Sequence, residues 1–72
     1  MLFKEIVTDE SYWTMRGNIP IKMKIISKNE GMKRFPNIWM LDEIAKTVHT
    51  RYSEQIFKEY NNLRDYVFPK NQ

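Results

Sequence analysis

Two short stretches of the chain alternate apolar and polar residues at every second position, and a longer one repeats at helical spacing. From Tyr12 to Arg16 and from Ile21 to Ser27 the alternation is that of strands packed on one side. In the second stretch Ile21, Met23 and Ile25 share one face while Lys22 and Lys24 share the other. In the first, Trp13 and Met15 are expected to point inward, with Tyr12, Thr14 and Arg16 outward. Leu2 to Val7 is rich in aromatic and β-branched residues but does not alternate cleanly. Thr8-Asp9-Glu10-Ser11 after it carries turn chemistry, so Leu2–Val7 and Tyr12–Arg16 are expected to form a hairpin. Gly17-Asn18 supplies a second tight reversal, and Pro20 suits the entry of a third strand.

Beyond a polar loop at residues 28–35, turning at Gly31, the period changes. Ile38, Leu41, Ala45, Val48, Tyr52, Ile56, Tyr60, Leu63 and Val67 lie on a stripe of about 3.6 residues per repeat, with no Gly or Pro until Pro69. Asn37 can cap its start. The fold class this predicts is α+β: a three-stranded antiparallel sheet (β-β-β) followed by one long C-terminal helix from Asn37 to Val67, or by two helices broken near residues 50–53, where Ser53 could cap the second. Residues 1–72 are read as a single small α+β domain.

A helix of that length would run roughly 46 Å at about 1.5 Å per residue, against strands of about 20 Å. Met40, Leu41, Ile44, Ala45 and Val48 would then cover Trp13, Met15, Met23 and Ile25. Tyr52, Ile56, Phe57, Tyr60, Leu63 and Val67 would be left without cover, and at about 25 cal/mol per Å² their exposure would forfeit several kcal/mol. These six residues are therefore the expected protein interface, for a second copy of the chain or for a protein target.

Composition sharpens this reading. With 72 residues and no cysteine, disulfides are unavailable as a staple, which leaves association as the common alternative for so small a core. A content of 42% apolar residues with ten aromatics and only two glycines is too hydrophobic for a disordered tail. Charged residues interrupt MLFKEIVTDE, so neither a signal peptide nor a membrane span is expected there, and a cytoplasmic location is. The net charge of +3 belongs entirely to residues 1–36, which hold seven cations against four anions, whereas residues 37–72 hold five of each.

No stretch has the spacing of a catalytic or cofactor motif. Asp42, Lys46, His49 and Ser53 contain the residue types of a hydrolytic triad, but on a helix Asp42 and His49 would stand roughly 10 Å apart, too far for hydrogen-bonded relay. One histidine without cysteine falls short of a zinc site, and phosphate-binding and calcium-binding loops are missing. Leu41 to Ala45 resembles the first helix of a helix-turn-helix unit, without its turn glycine. Metals, cofactors and enzymatic activity are not expected.

Two functional expectations follow. The first is a non-enzymatic protein-binding module, homodimeric or gripping a target through its C-terminal helix; size and composition fit a phage- or mobile-element-encoded regulator or inhibitor of a host factor, acting in the host cytoplasm. The second is a small nucleic-acid-binding protein that uses the outer sheet face, with Tyr12, Arg16, Lys22, Lys24, Lys28, Lys33 and Arg34 contacting phosphates and stacking on a base.

Overall fold

The computed structural model describes residues 1–31 and 36–68. It overturns the expected architecture: the sheet has four strands, and the long helix is absent. Strands β1 (Ser11–Arg16), β2 (Ile19–Lys28), β3 (Ile38–Asp42) and β4 (Thr47–Arg51) follow one another in an antiparallel meander, β1-β2-β3-β4. A 3-10 turn at Ser53–Gln55 comes next, then one helix of eight residues, α1 (Tyr60–Val67).

The first half of the expected helix is thus a hairpin. Ile38 to Leu41 is a short apolar run, which suits a strand covered on both faces as well as it suits a helix. Thr47, Val48 and Thr50 are β-branched and favour the pleated conformation. Asp42 fixes the reversal between them: its Oδ1 accepts the N–H groups of Ile44 and Ala45, both at 3.1 Å. Its backbone carbonyl takes the N–H of Lys46 at 2.8 Å, and Lys46 adopts φ +60°. This is a four-residue hairpin loop held by an Asx bond. Ala45 and Val48, assigned above to the buried side of a helix, are exposed, and Ile44 at the loop tip is 94% exposed.

The first expected strand is also corrected. Phe3–Glu5 forms a single 3-10 turn, and the arm then folds beneath the sheet so that Ile6 is buried in the core. Asp9, with φ +75°, turns the chain into β1, and residues 9 and 10 bond with Ile25 at 2.8 and 2.9 Å. The Gly17-Asn18 reversal is present as a two-residue loop between β1 and β2. Gly17 at its first position has φ +60°, where a II′ turn places glycine.

The core is Ile6, Tyr12, Met23, Ile25, Ile38, Met40 and Ile56. On β2 the inward residues are Met23 and Ile25, as the alternation predicts. On β1 the phase is opposite to the expected one: Tyr12 and Thr14 are buried, while Trp13 and Met15 face the other side, half-buried. Alternation identifies two faces but not which of two apolar faces is enclosed. Tyr12 and Thr14 can enter because their hydroxyls are paired, Tyr12 Oη accepting the N–H of Val7 at 3.1 Å and Thr14 donating to the carbonyl of Gln55 at 2.8 Å.

A register shift between Ile25 and Ser27 reverses the parity of β2. By alternation Lys28 would follow Lys22 and Lys24 outward, but beyond the bulge it lies opposite buried Ile38. Its ammonium donates to the carbonyls of Phe3 at 3.0 Å and Ile6 at 2.6 Å and sits 4.6 Å from the Phe3 ring centroid. The bulge thereby turns a surface lysine into the clamp of the N-terminal arm. Lys28→Met, which keeps the stem and deletes the donors, is expected to destabilise the fold by about 1.5–3 kcal/mol, measured by urea denaturation.

Asp42 is the one buried acid among the described residues. Its Oδ2 pairs with Arg16 Nη1 at 2.5 Å, linking β3 to β1 across β2. The N–H of Ala45, together with the Arg16 guanidinium and the N–H of Ile44, holds its carboxyl below the usual value, outweighing the upward push of burial. A lowered folded-state value means that the unfolded chain binds the proton more tightly, so Asp42 stabilises the fold above the unfolded pKa of about 3.9, and this stabilisation is lost as pH falls through the folded value. Melting curves between pH 7 and pH 2 are expected to show wild-type stability dropping more steeply below about pH 4 than that of Asp42→Asn.

Candidate functional site: the seam of the curled sheet

A four-stranded meander has two edges, and here they approach one another. After β4 the chain passes through the 3-10 turn and returns to β1, where Trp13 and Phe57 exchange both backbone hydrogen bonds at 2.8 Å. Thr14 holds the carbonyl of Gln55 just beside this pair, and the Met1 amino nitrogen lies 3.1 and 2.8 Å from the carbonyls of Ser53 and Ile56. Farther along, Arg51 spans the remaining gap: Nη1 donates to Thr50 O at 2.7 Å on β4, and Nη2 donates to Met15 O at 2.9 Å on β1.

The closure is incomplete, and a cleft of about 240 Å³ remains along the seam, lined by Thr14, Met15, Arg51, Gln55, Phe57, Leu63 and Tyr66. Its walls are mostly apolar, with a cation at the rim and no carboxylate. It lies below the roughly 300–1,000 Å³ usual for small-molecule and cofactor sites, and is the right size for a side chain. Beside it runs an aromatic ledge: Phe57 and Tyr66 meet at 5.3 Å between centroids, and Trp13 and Tyr60 meet edge to face at 5.2 Å. Tyr60 is 41% and Tyr66 64% exposed.

The six residues expected as a protein interface therefore divide. Ile56 and Leu63 are buried within the chain, and Tyr52, Phe57 and Val67 are half-covered. Of the six, only Tyr60 is exposed. The surface predicted to lie bare is largely covered by the chain itself, because the segment after β4 doubles back. Sequence reasoning missed Trp13, Met15, Arg51 and Tyr66. Tyr66, three residues after Leu63, had a helical-spacing signal; the other three enter only through the seam.

The seven residues assigned to a basic sheet face do not share one. Tyr12 is buried, Arg16 pairs with Asp42, and Lys28 is bound to the N-terminal arm. Lys22 and Lys24 stand on the outer side, opposite Trp13 and Leu41 respectively, and Lys33 and Arg34 lie outside the described residues. The polar residues considered as a triad are likewise separated in role: both oxygens of Asp42 are engaged, and His49 Nε2 is 2.8 Å from Thr47 Oγ1. Among the described residues no group of three or more His, Asp or Glu is placed to hold a metal, and no helix is long and apolar enough to cross a membrane. A wider hollow of about 620 Å³ at the arm side is rimmed by Glu5, Glu10, Glu59, Lys22 and Lys58, charges of both signs with no shared direction.

Compared with known protein families, with curated proteins and with solved structures, the chain matches none.

The division into structural and available residues predicts a contrast in stability. Ile56→Ala, at a site with no exposed surface, is expected to cost about 2–5 kcal/mol. Tyr66→Ala, on the exposed ledge, is expected to cost no more than about 1 kcal/mol. Denaturant titration of the two variants checks both.

Proposed function

We propose that the protein is a non-enzymatic protein-binding module, and that the seam cleft with its aromatic ledge is the surface that grips the partner. The observation that supports this is an apolar cleft lined by Phe57, Tyr66 and one cation, Arg51, with the Trp13–Tyr60 ring pair beside it through the Trp13–Phe57 backbone pairing. Tyrosine, tryptophan and arginine are the side chains that most often dominate association energies, because they bury large rigid areas at small entropic cost. This keeps Phe57 and Tyr60 from the sequence-based interface and replaces Ile56 and Leu63, which are committed to the fold, by Trp13, Met15 and Tyr66. A role as regulator or inhibitor of a host factor fits a module that acts by occupancy alone.

A partner isolated by affinity capture and then reconstituted from purified components is expected to bind Tyr60→Ala and Tyr66→Ala at least about tenfold more weakly than wild type, a loss of about 1.4 kcal/mol each. Lys22→Gln and Lys24→Gln should change affinity by less than about threefold. Isothermal titration calorimetry reads both. Binding that depends on the lysines and falls steeply with salt would instead support nucleic-acid or polyanion recognition.

A further inference from the structure

The hydrophobic core is complete before α1 begins. Its members run from Ile6 to Ile56, and the last of them precedes Phe57, the residue that closes the sheet against Trp13. Leu63 is the one buried residue of α1 and lies outside that core. It lines the seam cleft with Met15, Phe57 and Tyr66. Two ring contacts complete the attachment, Tyr60 on Trp13 at 5.2 Å and Tyr66 on Phe57 at 5.3 Å. Among the described residues no hydrogen bond or ion pair joins α1 to the sheet: its one ion pair, Arg64 with Asp65, is internal. The N-terminal arm, by contrast, is fastened through Lys28, and β3 is tied to β1 through Asp42.

The helix has little to sustain it alone. Of its residues Tyr60-Asn61-Asn62-Leu63-Arg64-Asp65-Tyr66-Val67, only Leu63 and Arg64 are good helix formers. Its eight residues fall short of the roughly 12–15 at which an isolated helix becomes marginal in water. Glu59 at the N-cap makes no side-chain capping bond, and the first turn holds no acid. Docking is therefore what makes this segment helical. Between it and the paired Phe57 stand Lys58 and Glu59, both exposed, whose side chains make no hydrogen bond or ion pair among the described residues. They form a free hinge.

We propose that α1 is a lid, which undocks and unfolds as a unit about Lys58 and Glu59 while the sheet stays closed at Trp13 and Phe57. Opening removes Leu63 and Tyr66 from the seam cleft and lifts Tyr60 off Trp13, so the cleft runs on into the outer side of β1, where Trp13 and Met15 lie half-buried. The aromatic ledge is assembled only while the lid is shut. Recognition elements that move are drawn from the least stable part of a fold, and a partner that grips Tyr60 and Tyr66 holds the lid closed by mass action. That last consequence rests on the protein-binding reading above, whereas the lid itself rests on the packing of α1.

Native-state hydrogen exchange of the free full-length protein reads the lid directly. The amides of residues 63–68 are expected to exchange together, at least about a hundredfold faster than that of Ile25, whose N–H is held by Glu10 O at 2.9 Å. Their rates should be nearly independent of urea below the unfolding transition, because a local opening exposes little surface, while the Ile25 rate should climb steeply. In Leu63→Ala, heteronuclear spectra should show random-coil shifts for residues 60–68 and preserved dispersion along β1–β4.

A common rate and a common urea dependence for α1 and Ile25 overturn the proposal, since α1 then opens only with the whole fold. Rates graded towards Phe68, with Leu63 protected as strongly as Ile25, also overturn it, because that is fraying of an end. Loss of strand dispersion in Leu63→Ala, or helical shifts kept at residues 60–68, does the same. Both measurements use the free protein, so a partner that binds Tyr66→Ala as wild type ends the protein-binding reading and leaves the lid standing.

Discussion

The two backbone hydrogen bonds between Trp13 and Phe57 are the contact on which the rest of the fold depends. They convert an open four-stranded meander into a curled sheet with an interior. The hydrophobic core exists because Ile56, brought in by the same return of the chain, seals it beside Ile6, Met23, Ile25, Ile38 and Met40. A four-stranded sheet of this size, open on one face, would bury too little apolar surface to offset its chain entropy. The return of the C-terminal segment and the folding-under of the N-terminal arm do for this chain what disulfides do for other small domains.

The same closure creates the surface proposed above to bind a partner. A sheet that curls without fully closing leaves a seam, and the groups along it are those that pairing did not consume. Arg51 bridges the two edges with one guanidinium, and the ledge of Phe57, Tyr60 and Tyr66 exists because α1 starts three residues after the pairing residue. One segment supplies both the core and the ledge, with Ile56 and Leu63 turned inward and Tyr60 and Tyr66 turned outward. Such a division permits surface change at the tyrosines without loss of the core.

Polar groups specify the topology as much as apolar ones do. Asp42 organises its own hairpin loop and ties β3 to β1 through Arg16, while Lys28 fastens the arm by its carbonyls. Each satisfies donors or acceptors that burial would otherwise penalise. They also explain why the basic residues of the first half do not add up to a basic face: part of that charge is spent inside the structure.

Local physics written in the sequence determined β1, β2 and the Gly17 turn, since alternation over five or more residues and a glycine at positive φ are readable without knowing any neighbour. It also determined that the C-terminal third carries apolar surface in need of cover. Tertiary structure decided what provides that cover. The stripe is helical only over its last part, Tyr60–Val67; from Ile38 to Ile56 it satisfies a helical period by coincidence of spacing, and only the availability of β2 as a pairing partner makes Ile38–Asp42 and Thr47–Arg51 a hairpin. Which face of β1 is enclosed, which way Lys28 points beyond the bulge, and that Trp13 meets Phe57 forty-four residues later are long-range outcomes. No local pattern encodes them, because each depends on where a distant segment of the chain comes to rest.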